Sequence, residues 1–376
     1  MIDVLEIRDQ SRITIGILDL SKSVIWHSVY YGVGDFEIYI QATPENIALL
    51  QVGNYVTRYD NDEVGIIESI TVEYSAQDGY MLTASGRFAK SLLDRRIIYN
   101  LNDTVNTPTI LRGKVETAVR GLVRDNAINC SFDSRRNISI LGLDSAKGYT
   151  DIIVDENGQA AEKQVSYQPL REYTDEVLRE YGMSAKVTLK ESNKMLLYGV
   201  FRGADRSMGN SSGNEPIIFS TDYDNLISST YLYDSQSLKN AALVGGEGEG
   251  LERFFTLLTA SESGLQLREM FVDASDINKD HEVEGEEEPV PYTDAEYSAL
   301  LVQKGQQLLK DQIIQETFNG DVNVEMGLHK LGEDYSLGDI VTVQDNYINK
   351  YINVRITEVT EVQDDNGYTV DIVFGE

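Results

Sequence analysis

Val244-Gly245-Gly246-Glu247-Gly248-Glu249-Gly250 is spaced like a loop that could hold phosphate. Such loops work because bare backbone amides and a helix N-terminus converge on an anion. Glu247 and Glu249 put two negative charges there instead, and no Lys-Ser or Lys-Thr pair follows. The run reads as a structural turn between Leu243 and Leu251. Asp276, Asn278 and Asp280 alternate like the oxygen ligands that open a calcium loop, and Glu287 stands twelfth, where a bidentate ligand belongs. His281 occupies the position that needs glycine, and no helix precedes it, so a solvated acidic loop is the better reading. Asp60 with Asp62, Asp222 with Asp224, and Glu286 to Glu288 are paired carboxylates that an acidic chain supplies by chance. A glycosidase needs two of them at a fixed separation in a cleft, which spacing along a chain does not show. His27, His281 and His329 lie far apart, outside any zinc spacing. Ser85-Gly86-Arg87 and Ser207 lack a nucleophile elbow. Arg95-Arg96, with Arg87 and Lys90, is expected to meet acidic surface or an adjoining subunit rather than an isolated phosphate. No catalytic, cofactor-binding or metal residue is assigned, and no cofactor is expected.

The charge balance narrows the function classes. The 376 residues carry 62 Asp and Glu against 32 Lys and Arg, a formal net charge of −30. A nucleic-acid binder must neutralise phosphates with cations, so specific DNA binding is disfavoured. Acidity serves solubility, and a surface that repels DNA is the sharper alternative. The single cysteine, Cys130, excludes an internal disulfide framework and reads as a small buried hydrophobe. No stretch approaches the roughly 20 apolar residues of a membrane helix. The first residues, broken by charges, do not read as a signal peptide, which points to assembly in a cytoplasm.

The positioning elements are mostly strands. Phe36, Ile38, Ile40 and Ala42 alternate with Glu37, Tyr39 and Gln41, a period of two. Thr43 caps a short helical turn at 44–50, strands follow at 52–59 and 64–74, and Gln77-Asp78-Gly79 closes a hairpin onto 80–85. Thr107-Pro108 is expected to open a helix carrying Leu111, Val115, Val119 and Leu122. Short strands are expected at 130–132 and 138–141. Gln168-Pro169 opens a second helix that stops at Gly182, followed by strands at 185–189 and 195–201. Further strands are read at 217–220, 228–233 and 239–245. Thr293 and Glu296 form a capping box for a helix with Tyr297, Leu301, Leu308, Leu309 and Ile313 on one stripe, ending near Phe318-Asn319-Gly320.

Two stretches read as copies of one unit. Gly34-Asp35, Gly53, Ile67 and Gly79 of the first recur as Gly320-Asp321, Gly338, Ile356 and Gly367, at offsets of 286, 285, 289 and 288. The expected fold class is α+β and β-rich, with two tube-type β-barrel domains related by internal duplication, an α+β insert and a helical excursion. The divisions are 1–100 for the first barrel, 101–210 for the insert, 211–265 with 319–376 for a split second barrel, and 266–318 for the acidic loop and long helix.

Tyr231 to Arg253, with Lys239-Asn240-Ala241-Ala242-Leu243-Val244-Gly245-Gly246-Glu247-Gly248-Glu249-Gly250 inside it, resembles a signature of bacteriophage tail hub proteins. Tyr335 to Val343, Arg355 to Val359, and Phe36-Glu37-Ile38-Tyr39-Ile40 through Arg87 resemble it too. Over nearly the whole chain the sequence is similar to the siphophage Gp37-like hub family. That resemblance implies a non-enzymatic homotrimer at the tip of a phage tail or tail-like particle, a virion component. Six barrels from three chains would match a six-fold tube to a three-fold tip and line an acidic channel for DNA ejection. It also implies a tail tube or distal tail protein above, a tape measure protein, and a separate spike or fibre protein below. The last point rests on the chain stopping at Phe374-Gly375-Glu376. A cell-wall hydrolase of the tail tip and a glycan-binding adhesin are the alternatives.

Overall fold

The computed structural model describes residues 2, 4–19, 21–102, 105–155, 158–281, 290–323 and 328–375. It divides into two compact units, Met1–Thr230 with Phe318–Glu376, and Tyr231–Thr317. The chain opens with β1 (Leu5–Arg8), β2 (Thr14–Leu18), β3 (Ser23–Val29) and β4 (Asp35–Gln41). Helix α1 (Pro44–Leu49) follows, then β5 (Tyr55–Arg58), β6 (Val64–Ser75) and β7 (Gly79–Phe88). Burial alternates along β4, as the period of two predicts, and along β3 as well. Trp26, Phe36, Ile38, Ile40, Leu82 and Phe88 fill the core beneath. Thr43 caps α1, its hydroxyl accepting from the Asn46 N–H.

The next segment holds β8 (Leu101–Asn102), β9 (Val105–Asn106), β10 (Thr109–Arg112), α2 (Val115–Val123), β11 (Leu141–Leu143) and β12 (Glu162–Val165). It continues through α3 (Leu170–Glu180), β13 (Ser184–Lys190) and β14 (Met195–Phe201). Pro108 does not start a helix: β10 follows and pairs with β12, and α2 begins only after Gly113, whose φ is 74°. Leu111 therefore sits on a strand, while Val115, Val119 and Leu122 carry the buried face of α2. Residues 130–132 form no strand, and the one expected at 138–141 starts at Leu141. Helix α3 begins after Pro169 and stops before Gly182, as read from sequence. The core of this segment extends to Tyr55, Val64 and Ile66 of the first module, so β5 is buried on both faces.

Then come β15 (Ile218–Ser220), β16 (Thr230–Asp234), β17 (Ala241–Gly245), β18 (Phe255–Leu258), β19 (Glu269–Asp273), β20 (Asp280–His281) and β21 (Val290–Pro291). Helix α4 (Asp294–Leu309) precedes β22 (Gln315–Val322), β23 (Ile340–Asp345), β24 (Lys350–Asp364) and β25 (Gly367–Gly375). The strands of residues 211–265 divide: β15 pairs with β23, whereas β17 pairs with β18 and β19. Tyr297 and Leu301 of α4 cover Ala242, Val244 and Val272 of that small sheet. The capping box is present in full. Helix α4 ends at Leu309 rather than near Phe318, because only Tyr297, Leu301 and Gly305 are buried and Leu308 and Ile313 find no face to cover.

Both copies of the repeat lie in one open sheet, ordered β22-β25-β24-β3-β4-β7-β6-β5-β1-β2. Gly53 and Gly338 have φ of 89° and 91°, and each N–H donates to the carbonyl of the matching isoleucine, Ile67 at 2.8 Å and Ile356 at 2.9 Å. Each hairpin shifts register one residue past that isoleucine, between Ile67 and Ser69 and between Ile356 and Glu358. A bulge of this kind bends and twists a strand, so both copies curve at the same place. The first strand of the repeat departs from the sequence alignment. Phe36 opposes Gly86, and Phe318 opposes Phe374, the counterpart of Gly86. Phe318 is therefore the partner of Phe36, an offset of 282, and the shared Gly-Asp of Gly34 and Gly320 is not the structural match.

Candidate functional site

The two copies meet along β3 and β24, paired antiparallel from Val29 opposite Glu358 to Ser23 opposite Asp364. A buried ion pair locks this seam. The Arg58 guanidinium donates to both Glu361 oxygens at 2.8 and 2.9 Å, and to Asp60 at 2.9 and 2.7 Å. The Tyr368 hydroxyl donates to Glu361 at 2.7 Å, and Arg58 lies 5.3 Å from the Trp26 ring centroid. The Arg58 and Glu361 side chains are 1% and 5% exposed. Two-pronged geometry of this type gives direction as well as energy. Burial opposes the Arg58 charge, yet the carboxylates outweigh it and raise its pKa. Burial likewise opposes the Asp60 charge, but Arg58 holds that carboxyl below its ordinary range.

His27, on β3, reaches across the same seam. Its Nε2 lies 3.0 Å from Glu358 and its Nδ1 3.3 Å from Asp35. Burial opposes the imidazolium, but the two carboxylates prevail and the pKa is raised. Next to it the Ser28 hydroxyl donates to Glu63. Glu63 keeps some exposure as a residue, but its carboxylate end is enclosed, and burial pushes it up to about 7 against the pull of Ser28 and Lys90. At the other end of the seam, a Cβ on Gly338 would lie 2.2 Å from the Tyr30 ring. The Tyr30 hydroxyl donates to the Gly182 carbonyl at 3.0 Å, and burial pushes its pKa up to about 12. Asp339 accepts from the Ala204 N–H at 2.7 Å and from Arg206 at 3.1 Å. These contacts tie β24 to β3 and β5 through buried and half-buried ion pairs.

The residues singled out for chemistry are used otherwise. Arg253 folds back on the glycine run, its guanidinium donating to the Gly245 and Gly246 carbonyls at 3.0 Å, while Glu247 accepts from the Lys279 N–H at 2.7 Å. The loop thus spends its polar groups on itself. Of the calcium-like set, Asp280 and His281 belong to β20 and Glu287 lies outside the described residues, as do Glu286 and Glu288. Among the described residues no group of three His, Cys, Asp or Glu is placed to hold a metal ion. Asp62 takes Lys186 at 2.9 Å, and Asp222 accepts from Asn346. His329 lies 6.3 Å from the Phe219 ring centroid, and burial lowers its pKa. The Ser207 hydroxyl donates to Asp205 at 2.7 Å. Arg87 is paired to Glu68 and Asp94, Lys90 is buried against Asp175 at 2.9 Å, and Arg96 donates to the Arg136 carbonyl at 2.7 Å. Cys130 is buried, as expected. Arg58 and Glu361 escaped the sequence reading, since nothing local pairs residues 303 positions apart.

The 43 kDa tail protein of prophage MuSo2 from Shewanella oneidensis has a similar fold, with a TM-score of 0.58 at 12% identity over 99% of this chain and 98% of that one. A tail protein from Neisseria meningitidis MC58 is similar at a TM-score of 0.56 and 14% identity, over 99% and 96% of the two chains. No curated protein matches the sequence. The model of the Siphovirus ReqiPepy6 Gp37-like protein family matches residues 4–376, and the chain belongs to that family.

Proposed function

We propose that this protein is a non-catalytic structural hub at the tip of a phage tail or phage-tail-like particle. Three chains form a ring in which the two repeat copies of each chain act as tube-type modules. Six modules then present near six-fold symmetry to a tail tube or distal tail protein on one side. Three-fold symmetry faces a separate tip protein on the other, and a tape measure protein and DNA pass through the centre. Residues 1–100 supply the first module and strands within 211–265 and 319–376 the second. Residues 101–210 and the helical excursion of 266–318 make contacts away from the tube.

The observation that carries this reading is the matched construction of the two copies. The same left-handed glycine, the same hydrogen bond to an isoleucine and the same bulge occur in each. Two like modules per chain are what a three-fold object needs to mate with a six-fold one. The net charge of −30 supports a bore that does not retain DNA. Light scattering on the purified chain tests the assembly: the expected mass is three times 42.1 kDa, and class averages should show six density lobes around an open centre. A monomer at all concentrations, or a ring of another order, would overturn it.

A further inference from the structure

The seam inside the chain shows what a free edge elsewhere is built to take. In the second copy, residues Glu358–Asp364 of β24 are flanked by β25 on one side and β3 on the other, and none of the seven is exposed. The hairpin registers make Ser69–Ser75 of β6 their counterpart, since Ser69 and Glu358 each follow the bulge and Ser75 and Asp364 each close the hairpin. Among the described residues that stretch is flanked only by β7, because β5 reaches no further along β6 than Ile66. Six of its seven residues are exposed, including Val72 at 49% and Tyr74 at 66%. A bare strand edge bearing apolar side chains is a template for another strand, and soluble proteins protect such edges unless they are used.

The occupant follows from the same comparison. In the first copy, the strand that lies on β24 is β3, which also pairs with β4. Its counterpart in the second copy is the segment after Ile227. The Ile227 N–H donates to the Asp321 carbonyl at 2.8 Å, as the Lys22 N–H donates to the Tyr39 carbonyl at 2.9 Å, and Asp321 is the ladder equivalent of Tyr39. From there the chain runs into β16, a terminal strand in the sheet order, where Leu232 is 46% exposed.

We propose that Ser69–Ser75 of one chain receives residues 228–234 of a second copy as an added antiparallel strand. The join between chains then repeats the β3–β24 join within each chain. The two surfaces differ, so the contact runs head to tail and closes only as a ring. Main-chain hydrogen bonds give such an added strand its affinity, and side-chain alternation fixes its register. The inference rests on the trimeric reading above and adds the identity of the contact.

The test uses the full-length chain with Cys130→Ser as background. Thr71→Cys is combined in turn with Cys at each of positions 230 to 234. With copper–phenanthroline as oxidant, the expected result is a ladder of disulfide-linked dimers and trimers, abolished by reductant, for one or two adjacent positions, and none for the others. Deuterium exchange should show protection of 69–75 that rises with the fraction of trimer. A trimer by light scattering, with no cross-link at any position and an unprotected 69–75 segment, would overturn this contact and leave the hub reading intact. No self-association at any concentration would overturn both.

Discussion

At the residue scale, the protein is held by ion pairs that the fold removes from water. Arg58 and Glu361 are nearly sealed, so removing one leaves the other charge buried without its partner. Arg58→Ala should cost about 3–5 kcal/mol in denaturant unfolding, with the loss of the Trp26 contact included. Arg58→Met with Glu361→Leu should recover much of it, because the desolvation cost vanishes with both charges. A loss below 1 kcal/mol for the single change would contradict the role assigned to this pair. The same seam should respond to pH. A raised His27 pKa means that its stabilisation is complete below the unfolded value of about 6.5 and is lost as pH rises through the folded value. Glu63 acts in the same direction: its carboxyl stays protonated up to about 7 in the fold, against 4.5 unfolded, so stability falls as pH climbs between those values. The carboxylates with depressed pKa, Asp60 and Glu68, lose their contribution only in more acid solution. Denaturation midpoints should decline from pH 5 to pH 8. Glu63→Gln should flatten the lower part of that slope and His27→Gln the upper part.

At the scale of elements, the two copies share a skeleton but not a setting. Gly53 and Gly338 both hold a left-handed conformation that an L side chain adopts at a cost of roughly 1–2 kcal/mol. Around Gly53, an added methyl meets only the end of Gln10 at 3.3 Å, which can swing away. Around Gly338, it meets the buried Tyr30 ring at 2.2 Å. Gly53→Ala is therefore expected to lower stability by about 1–2 kcal/mol, while Gly338→Ala should cost clearly more and expose Tyr30 to solvent. Comparing the two variants by urea denaturation, with tyrosine fluorescence as a second probe, checks the asymmetry. Equal losses would mean that the Tyr30 contact yields without consequence.

At the scale of the whole molecule, net charge sets what the surface can retain. Thirty excess negative charges are distributed over a chain whose described basic groups mostly pair with carboxylates of the same chain. Purified protein should show no retention of double-stranded DNA in a mobility-shift assay at 50 mM salt, where electrostatic binding is strongest. Saturable binding under those conditions would contradict the proposed passive channel. Two phage tail proteins have a similar fold at only 12% and 14% identity.

Much of this architecture was legible in the chain itself because its signals are local. The alternation of Phe36, Ile38 and Ile40 marked β4, the Thr293–Glu296 box marked the start of α4, and Pro169 and Gly182 bounded α3. The glycines at 53 and 338 and the hairpins after 67 and 356 disclosed the repeat, since left-handed turns and two-residue periodicity leave marks in composition. Tertiary structure alone decided which strands became neighbours. Pro108 preceded a strand because β12 was there to pair with it. Phe318, not Val322, became the counterpart of Phe36 because strand register answers to a partner across the sheet. The seam itself joins residues 329 to 341 positions apart, and a period of two is blind to that distance: it says that a face will be buried, never against what.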